Sequence, residues 1–478
     1  MQWFRRHRLL FTFLALAHTI GLVSSLDALM SARTAPGAVA WIVSLNTMPY
    51  VAVPAYWVFG RTKFQGYVIA RRDLDSQLAV QLADHINRLR THRLETPYQS
   101  KDLRAVEALA KVPFVTGNSL ELLIDGEAAF ESILSGMADA RDYILVQFYI
   151  IKDDELGRKF KQVLIDQARK GVAVHLLYDE IGSHQLPNSY IQALTEAGVN
   201  VHRFHSTRGR GNRLQLNFRN HRKVVVVDGQ QGWLGGLNVG DEYLGRHEQI
   251  GPWRDTHLRI EGPAVQKMQL SFVEDWHWAT ESILALPWEP RPSDTGNIPT
   301  LILASGPADR FDTASLMIQQ AIHAAQERFW ISSPYFVPDE GVQGMLKLAA
   351  LGGVDVRILI PEQSDFRLVD QAAHAFIEPL LQAGVRIYRY QDGFLHGKAF
   401  LVDTQGAAVG TVNLDNRSFR LNFEITAIAI DEDFAADVEG MFLEDFARSR
   451  PMQVADREER TFWSRLLSRA AYLFAPVL

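Results

Sequence analysis

The chain has 478 residues, a formal net charge of −6 and no cysteine. A chain of this length has room for two or three domains. The absence of cysteine excludes disulfides, thiolate metal sites and cysteine nucleophiles. An acidic chain in which 22% of the residues are charged is not typical of a nucleic-acid-binding protein, so we expect no nucleic-acid partner.

The first sixty residues contain two uncharged runs, residues 9–26 and 34–60. The first is close to the minimum length for a bilayer span, and together they predict a transmembrane hairpin over residues 1–63. A cleaved signal peptide is the alternative for the first run. Basic residues flank the pair on both outer sides, with one between the runs: Arg5, Arg6 and Arg8 before, Arg33 between, and Arg61, Lys63, Arg71 and Arg72 after. Since positive residues stay inside, both ends and everything after residue 60 are predicted to be cytoplasmic.

Beyond a connector at residues 64–111, strand-like and helix-like segments alternate, which predicts an α/β fold. The order of segments in residues 112–285 recurs in residues 298–455, and a Pro-rich linker at residues 286–297 separates the two. This is an internal duplication. Two similar halves usually pack about a pseudo-twofold axis, which would bring equivalent strands together in one site.

Each half carries the pattern H-x-K-x-x-x-x-D, followed by Gly and Asn at the same offsets. The first copy is His221, Lys223, Asp228, Gly235 and Asn238, and the second is His396, Lys398, Asp403, Gly410 and Asn413. One copy would be weak evidence, because short patterns of common residues arise by chance. Two copies with the same trailing residues predict a functional site.

The spacing has a structural meaning. Four valines follow Lys223, and an equally apolar run follows Lys398, so both motifs are predicted on buried strands. Residues two apart face the same side of a strand, so each histidine projects beside its lysine. Asp228 and Asp403 have the opposite parity and lie at the strand ends. We interpret these two as residues that fix a turn and orient the site, without touching substrate.

Two histidines and two lysines in one pocket suit attack on a phosphodiester. One imidazole would attack phosphorus to form a phosphohistidine, while the other would protonate the leaving alcohol. Lys223, Lys398, Asn238 and Asn413 would neutralise the non-bridging oxygens. The chemistry needs no metal and no cofactor, and the remaining histidines are scattered along the sequence.

The paired motifs resemble those of the phospholipase D superfamily. The N-terminal hairpin and three further segments resemble the bacterial cardiolipin synthases, and the resemblance covers nearly the whole chain. The segments are Ser333 to Asp339, Asn217 to Lys223, and Gly235 to Tyr243.

The resemblance implies two lobes, each a mixed sheet between helices, in a bacterial inner-membrane enzyme. It implies transfer of a phosphatidyl group from one phosphatidylglycerol to another, releasing glycerol, with an anionic phospholipid and the bilayer as partners. The resemblance also implies that His221 is the nucleophile; the two motifs are alike, so the residues alone do not distinguish His221 from His396. It further implies that Asp255 and Glu424 orient the histidines at the substrate-binding site. The family often has Ser after the motif glycine, where this chain has Gly236 and Thr411, so a hydroxyl function at the first position is in question.

Other functions stay open at this point. Hydrolysis, or transfer from another headgroup such as phosphatidylethanolamine, would use the same residues, because water and alcohols attack the same intermediate. A nuclease should show a basic groove and gains nothing from membrane spans. An inactive membrane scaffold should have lost part of a motif, and both motifs are intact. The sequence does not indicate an oligomeric state.

The C-terminal segment, residues 456–478, is predicted to form an amphipathic helix. Its large apolar residues share one face: Phe462, Trp463, Leu466, Leu467, Ala470, Leu473 and Phe474. Such a helix either lies in a membrane interface or docks on its own domain.

Overall fold

A computed structural model of the chain describes residues 2–32, 34–60, 64–77, 84, 87–95, 101–205, 217–247, 251–453 and 461–478. Two compact units form within it. One comprises residues 1–69 and 205–218, and the other comprises residues 70–204 and 219–478.

The first unit is helical. It contains α1 (Gln2–Ser31), α2 (Ala35–Thr47), α3 (Pro49–Ala55) and a π-helical turn, Tyr56–Gly60. In α1, residues His7–Ser31 are long and apolar enough to cross a membrane. The second apolar run is divided where Pro49 begins a new helix, because proline is favoured in a first turn and cannot continue a preceding one. Among the described residues, one helix therefore meets the length of a span.

Polar side chains join the second apolar run to α1. The Tyr56 hydroxyl donates to Asp27 Oδ2 at 2.7 Å, and Asn46 Nδ2 donates to Ser25 Oγ at 2.7 Å. In an apolar environment such pairs satisfy groups that would otherwise be costly to bury. The second apolar run thus packs against α1 in two pieces. Leu45 and Pro49 lie at Gly21, and the chain then turns back, so that Tyr56 reaches Asp27 and Trp41.

The second unit is built on one 16-stranded sheet. Its first half runs from residue 115 to residue 280 and alternates strands with helices. The elements are β1 (Val115–Ile124), α6 (Asp125–Ala138), β2 (Tyr143–Phe148), α7 (Glu155–Arg169), β3 (Ala173–Asp179), α8 (Asn188–Glu196), β4 (Asn200–Phe204), β5 (Arg219–Asn220), β6 (Val224–Val227), β7 (Gln231–Gly235), β8 (Trp253–Arg254), β9 (Thr256–Glu261) and α9 (Val265–Thr280).

The second half repeats this order and adds short elements. They are β10 (Ile298–Ser305), α10 (Thr313–Ala324), β11 (Arg328–Ser332), β12 (Phe336–Val337), α11 (Glu340–Leu351), β13 (Asp355–Pro361), α12 (Arg367–Gln382), β14 (Arg386–Tyr390), β15 (Phe394–Leu395), β16 (Ala399–Val402), β17 (Gly406–Gly410), β18 (Leu414–Asp415), α13 (Asn416–Arg420), β19 (Asn422–Ile430), α14 (Glu432–Ala447) and β20 (Ser449–Pro451). The connector contributes α4 (Gln65–Gln77) and α5 (Lys101–Ala110).

The two halves share their sheet. The strand order is β20-β14-β13-β11-β16-β17-β19-β10-β1-β9-β7-β6-β2-β3-β4, and the sixteenth strand, β5, pairs with β19 off this path. The junction is antiparallel pairing of β1 with β10, with Val115 opposite Thr300. Parallel strands such as β2 and β3 lie beside antiparallel ones such as β2 and β6, so each half has a mixed sheet. The fold is of the α/β class that the sequence predicted. The sheets of the two halves are joined into one continuous sheet.

The C-terminal helix α15 (Phe462–Tyr472) docks on α12 through its small and polar face. Ser468 and Ala471 are buried, Ser468 Oγ donates to Gln371 Oε1 at 3.3 Å, and the Tyr472 ring lies 5.2 Å from that of Phe376. The helix therefore packs on its own domain, while its large apolar side chains stay exposed.

Candidate active site

Each motif histidine is held against a strand of the other half. His221 directly follows β5, which pairs in parallel with the start of β19, and its backbone N–H donates to Phe423 O at 2.9 Å. His396 directly follows β15, which pairs in parallel with β8, and its N–H donates to Arg254 O at 2.7 Å. The two motifs enter the site in the same way, related by the internal repeat.

The same crossing supplies each histidine with a carboxylate. His221 Nδ1 donates to Glu424 Oε2 at 2.9 Å, and His396 Nδ1 donates to Asp255 Oδ2 at 2.7 Å. A carboxylate on Nδ1 fixes the tautomer and the ring orientation. In the described part of the chain, the Nε2 atom of neither histidine has a hydrogen-bond partner, so Nε2 is the atom left for chemistry.

Glu424 is fully buried and held by three side chains besides the histidine. Thr411 Oγ1 donates to it at 2.5 Å, Ser418 Oγ at 2.8 Å and Asn422 Nδ2 at 3.1 Å. A carboxylate with this many donors stays ionised and fixed in place.

Asp255 has a smaller shell. Its Oδ1 accepts the backbone N–H of Thr256 at 2.8 Å, and its Oδ2 lies 3.3 Å from Trp253 Nε1. Gly236 stands at the repeat position of Thr411, and a Cβ there would lie 2.0 Å from Asp255 Oδ1. The first copy therefore has no room for the hydroxyl that the second copy uses, which explains the departure from the family pattern.

Both motif lysines are buried beside their histidines. Lys223 Nζ donates to His221 O at 2.8 Å and lies 5.4 Å from the centre of the Tyr149 ring. Lys398 Nζ donates to His396 O and lies 2.8 Å from His396 Nδ1. These contacts place two lysine amino groups at the histidines, where a phosphate would be attracted. Burial lowers the pKa of Lys223 well below its usual value, so its positive charge is favoured by a bound anion.

Burial sets the protonation of the site. It lowers the pKa of His221 to about 4 and, together with the charge of Lys398, lowers the pKa of His396 to about 3. Burial also lowers the pKa of Lys398 to about 8. Burial raises the pKa of Asp255, but Lys398 and His396 outweigh it and bring that pKa down to about 2. At neutral pH both imidazoles are neutral and thus nucleophilic, and both acids are ionised.

The motif aspartates lie at the far ends of β6 and β16 from the histidines. Asp228 Oδ1 accepts the N–H groups of Asp142 and Tyr143, each at 2.8 Å. Asp403 Oδ1 accepts the N–H of Glu327 at 2.8 Å and that of Arg328 at 3.0 Å. Both aspartates have φ of 52°, a left-handed conformation that Asp tolerates in turns. Their carboxylates tie the start of β2 or β11 to the turn after the motif strand.

The two motif asparagines differ. Asn238 is committed to the protein, since its Oδ1 accepts the N–H of Ile150 at 3.1 Å and its Nδ2 donates to the Tyr243 hydroxyl at 3.0 Å. Asn413 Oδ1 is buried without a hydrogen-bond partner among the described residues. Of the two, Asn413 is the one that makes no side-chain hydrogen bond to the protein within the described ranges.

No group of three or more His, Asp or Glu residues able to hold a metal ion occurs within the described ranges. The polar groups that converge on the histidines are two lysines and two acids already engaged with the protein. A set of groups of this kind can bind an anion and transfer protons.

The fold and the paired His–Lys sites define the class as phospholipase D-like. The structure matches the crystal structure of a phosphatidylserine synthase from Haemophilus influenzae with a TM-score of 0.60 at 16% identity, over 79% of this chain and all of that one. That match shows the fold alone.

Sequence comparison is more specific. The family model described as "Cardiolipin synthase, PLD-like domain" matches residues 133–276 and 318–446. Cardiolipin synthase A of Pseudomonas fluorescens Pf-5 is 46% identical over 100% of both chains, and that of Pseudomonas putida KT2440 is 47% identical over 97% of both. This chain belongs to the cardiolipin synthase family.

Several contacts of the site had no sequence signal of their own. Ser418 and Asn422 reach Glu424, and the ring of Trp253 lies 5.0 Å from that of His396. These residues fall outside the motif spacing. Alignment of the two halves against each other would have drawn attention to Trp253 and Asn422, because each lies two residues before its acid.

The Gly236 contact gives a direct prediction. In Gly236→Ala, the new Cβ would displace the Asp255 carboxylate from His396, and we expect turnover to fall about 100-fold, the scale of a misplacement near 1 Å. Gly344→Ala on α11 is the matched control, since a Cβ there meets nothing within 4 Å. Thr411→Ser keeps its hydroxyl and should keep its activity. Wild-type turnover in Gly236→Ala would contradict the assigned geometry.

Proposed function

We propose that the chain is a phosphatidyltransferase that joins two phosphatidylglycerol molecules into cardiolipin and glycerol. The observation that carries the proposal is the pair of histidines, each oriented by an acid of the opposite half and flanked by a buried lysine. Membership of the cardiolipin synthase family supports the substrate class. The membrane helix supports a lipid acceptor delivered by the bilayer.

In the first step, Nε2 of His221 attacks phosphorus and a P–N bond forms. The P–O bond to the headgroup glycerol breaks, and His396 gives its Nε2 proton to the departing oxygen. Lys223, Lys398 and Asn413 bind the non-bridging oxygens as charge builds. Asp255 and Glu424 hold the imidazoles and stabilise the positive charge that each carries in turn.

In the second step, His396 Nε2 takes the proton from the terminal hydroxyl of a second phosphatidylglycerol. The oxygen attacks phosphorus, the P–N bond breaks and His221 is restored. Each step leaves atoms and charges balanced, and His396 returns to its protonated form for the next cycle.

His396 must carry a second proton, on Nε2, when the donor lipid binds. Burial lowers the pKa of this imidazole and keeps it neutral before the lipid binds. A bound phosphodiester adds a negative charge next to the imidazole, and an opposite charge nearby raises a histidine pKa. Substrate binding would therefore prepare the general acid. Asp255, already ionised, favours the same form.

The function is tested with purified protein in phosphatidylglycerol vesicles. The proposal requires cardiolipin and free glycerol in equal amounts. Phosphatidic acid as the main product would show a hydrolase. Cardiolipin formed only when phosphatidylethanolamine is added would show a different donor.

The two histidines should be separable. With phosphatidylglycerol, His221→Ala and His396→Ala should each abolish turnover, while the exposed His184→Ala serves as the control. With a phosphatidyl ester of p-nitrophenol, the leaving group needs no proton. His396→Ala should then release one equivalent of nitrophenol per site, and His221→Ala should release none.

The reverse result, a burst from His221→Ala alone, would make His396 the nucleophile. Full turnover of phosphatidylglycerol by either variant would contradict a shared site.

We propose that the enzyme lies in the bacterial inner membrane as a two-span hairpin with the catalytic lobes in the cytoplasm. The flanking charges support this, with seven Lys and Arg residues outside the two runs and Arg33 alone between them. A reporter fused after Leu478 should be cytoplasmic and a tag beside Arg33 external. Digestion of the lobes by protease added to intact spheroplasts would contradict this orientation.

A further inference from the structure

The C-terminal helix α15 is mounted with its apolar face outward. Ser468 and Ala471 are buried against the domain, whereas Trp463 is 74% exposed and Leu473 76% exposed. The same face carries four more exposed apolar side chains, Phe462, Leu466, Leu467 and Phe474. A continuous apolar face bordered by polar residues marks a surface that another apolar medium covers.

A pocket of about 330 Å³ adjoins this helix, between α12, β14, β20 and α15. Four arginines line it: Arg389, Arg450, Arg465 and Arg469. Three acids also line it, and two of them are paired, Asp370 with Arg389 at 3.3 Å and Glu362 with Arg450 at 3.3 Å. The third is Glu378, which accepts a hydrogen bond from Gln382 at 3.3 Å.

The two arginines of α15 have no carboxylate partner among the described residues. Arg465 and Arg469 are exposed and lie one turn apart, so their side chains share one edge of the helix. Guanidinium groups bind phosphate oxygens in pairs. Among the described residues, this edge of the pocket therefore presents two arginines without a carboxylate partner beside the apolar face.

We propose that α15 seats the enzyme on an anionic leaflet, with its apolar side chains at the acyl boundary and the arginine pocket holding the phosphate of a phospholipid headgroup. This second lipid site deepens the proposed function, since the substrate is itself an anionic lipid. The site is formed by α12, β14, β20 and α15, and none of the motif residues lines it.

The test uses the full chain in vesicles. The chain has no cysteine, so Leu467→Cys accepts a single nitroxide, and Glu131→Cys on α6 is the solvent-exposed control. Collision of the nitroxide with oxygen and with a water-soluble nickel chelate reports its depth. We expect the label at 467 to be buried in vesicles containing phosphatidylglycerol, and to lie in water in pure phosphatidylcholine. The label at 131 should lie in water in both.

The pocket is tested by Arg465→Glu with Arg469→Glu, which should return the 467 label to water. The same charge change at Arg158 and Arg169 on α7 should not. A label that is water-exposed in all lipids overturns the proposal, as does burial independent of anionic lipid or of the two arginines. Release of the label by excess inorganic phosphate would assign the pocket to free phosphate and overturn the lipid assignment. Glycerol release measured on the same vesicles tests the proposed function separately.

A different observation concerns two buried arginine–aspartate pairs behind the site. Arg222 Nη1 donates to Asp275 Oδ2 at 2.8 Å, and its Nε donates to the backbone O of Glu424 at 3.1 Å. Arg254 binds both carboxylate oxygens of Asp445, at 2.8 and 2.9 Å. Its Nη1 donates to the backbone O of Asp255 at 2.5 Å.

The two aspartates occupy equivalent places in the repeat, but the two arginines do not. Asp275 and Asp445 lie near the ends of the matching helices α9 and α14. Arg222 stands between the motif histidine and lysine, where the second motif has Gly397. Arg254 comes instead from the residue before Asp255. The same contact, a guanidinium bridging a helix aspartate and the carbonyl of the histidine's acid, is thus built twice from different positions.

We infer that these pairs are positioning residues, with Asp275 and Arg222 holding Glu424 for His221, and Asp445 and Arg254 holding Asp255 for His396. The inference rests on the proposed function for the steps that each pair serves. Asp275→Asn should slow phosphohistidine formation about 10- to 100-fold, the usual effect of losing an outer partner, from both phosphatidylglycerol and the nitrophenyl ester. Asp445→Asn should slow it from phosphatidylglycerol only.

Rapid-quench kinetics distinguish an effect on positioning from an effect on folding. The burst amplitude counts the folded sites, and the burst rate reports the geometry of those sites. Glu274→Gln, adjacent on α9 and paired with Arg71, is the matched control. If the Asn variants do not fold, Arg222→Lys and Arg254→Lys replace them, because lysine keeps the buried charge but lacks the two-pronged guanidinium. Arg222→Lys should slow phosphohistidine formation from both substrates, and Arg254→Lys should slow it from phosphatidylglycerol only. Reduced amplitude with an unchanged rate would overturn the inference. No burst from the wild type would instead reject the proposed function.

Discussion

Hydrogen bonds between each imidazole and a carboxylate of the opposite half are the constraint on which the site depends. Neither half can build a complete His–acid pair, since His221 needs Glu424 and His396 needs Asp255. The short strands β5 and β15 supply the alignment by pairing with β19 and β8. The duplicated fold thereby gives two His–acid pairs, each built from both halves.

The two halves have the same backbone arrangement but differ in side chains around the acids that bind the histidines. The longer Glu424 is tied by a threonine hydroxyl, while the shorter Asp255 occupies space left free by Gly236. Lys398 touches His396 Nδ1, whereas Lys223 contacts only the backbone oxygen of its histidine among the described residues. We propose that such differences allow one imidazole to act as nucleophile and its partner as acid and base.

The alternation of strand-like and helix-like segments was sufficient to predict the α/β class. Motif spacing and strand parity predicted the two sets of His and Lys, and their catalytic role stays a prediction. The continuous sheet could not be predicted from the sequence. It depends on the pairing of β1 with β10, and these strands carry no sequence pattern that indicates their partner. The second apolar run was predicted to be one span. Pro49 begins a new helix within it, so the second span is not confirmed. Asn238 was predicted to bind substrate, and this stays a prediction. Its hydrogen bonds to Ile150 and Tyr243 are contacts that motif spacing cannot reveal.

The central claim is that Nδ1 of each histidine is committed to a carboxylate and that Nε2 performs the chemistry. The regiochemistry of the trapped phosphohistidine tests this most directly. Enzyme quenched in alkali after reaction with labelled phosphatidylglycerol can be analysed by fragmentation mass spectrometry and phosphorus NMR. The account predicts a phosphoryl group on Nε2 of His221. Phosphorylation on Nδ1 of either histidine would contradict it, because Nδ1 could not then donate to Glu424 or Asp255.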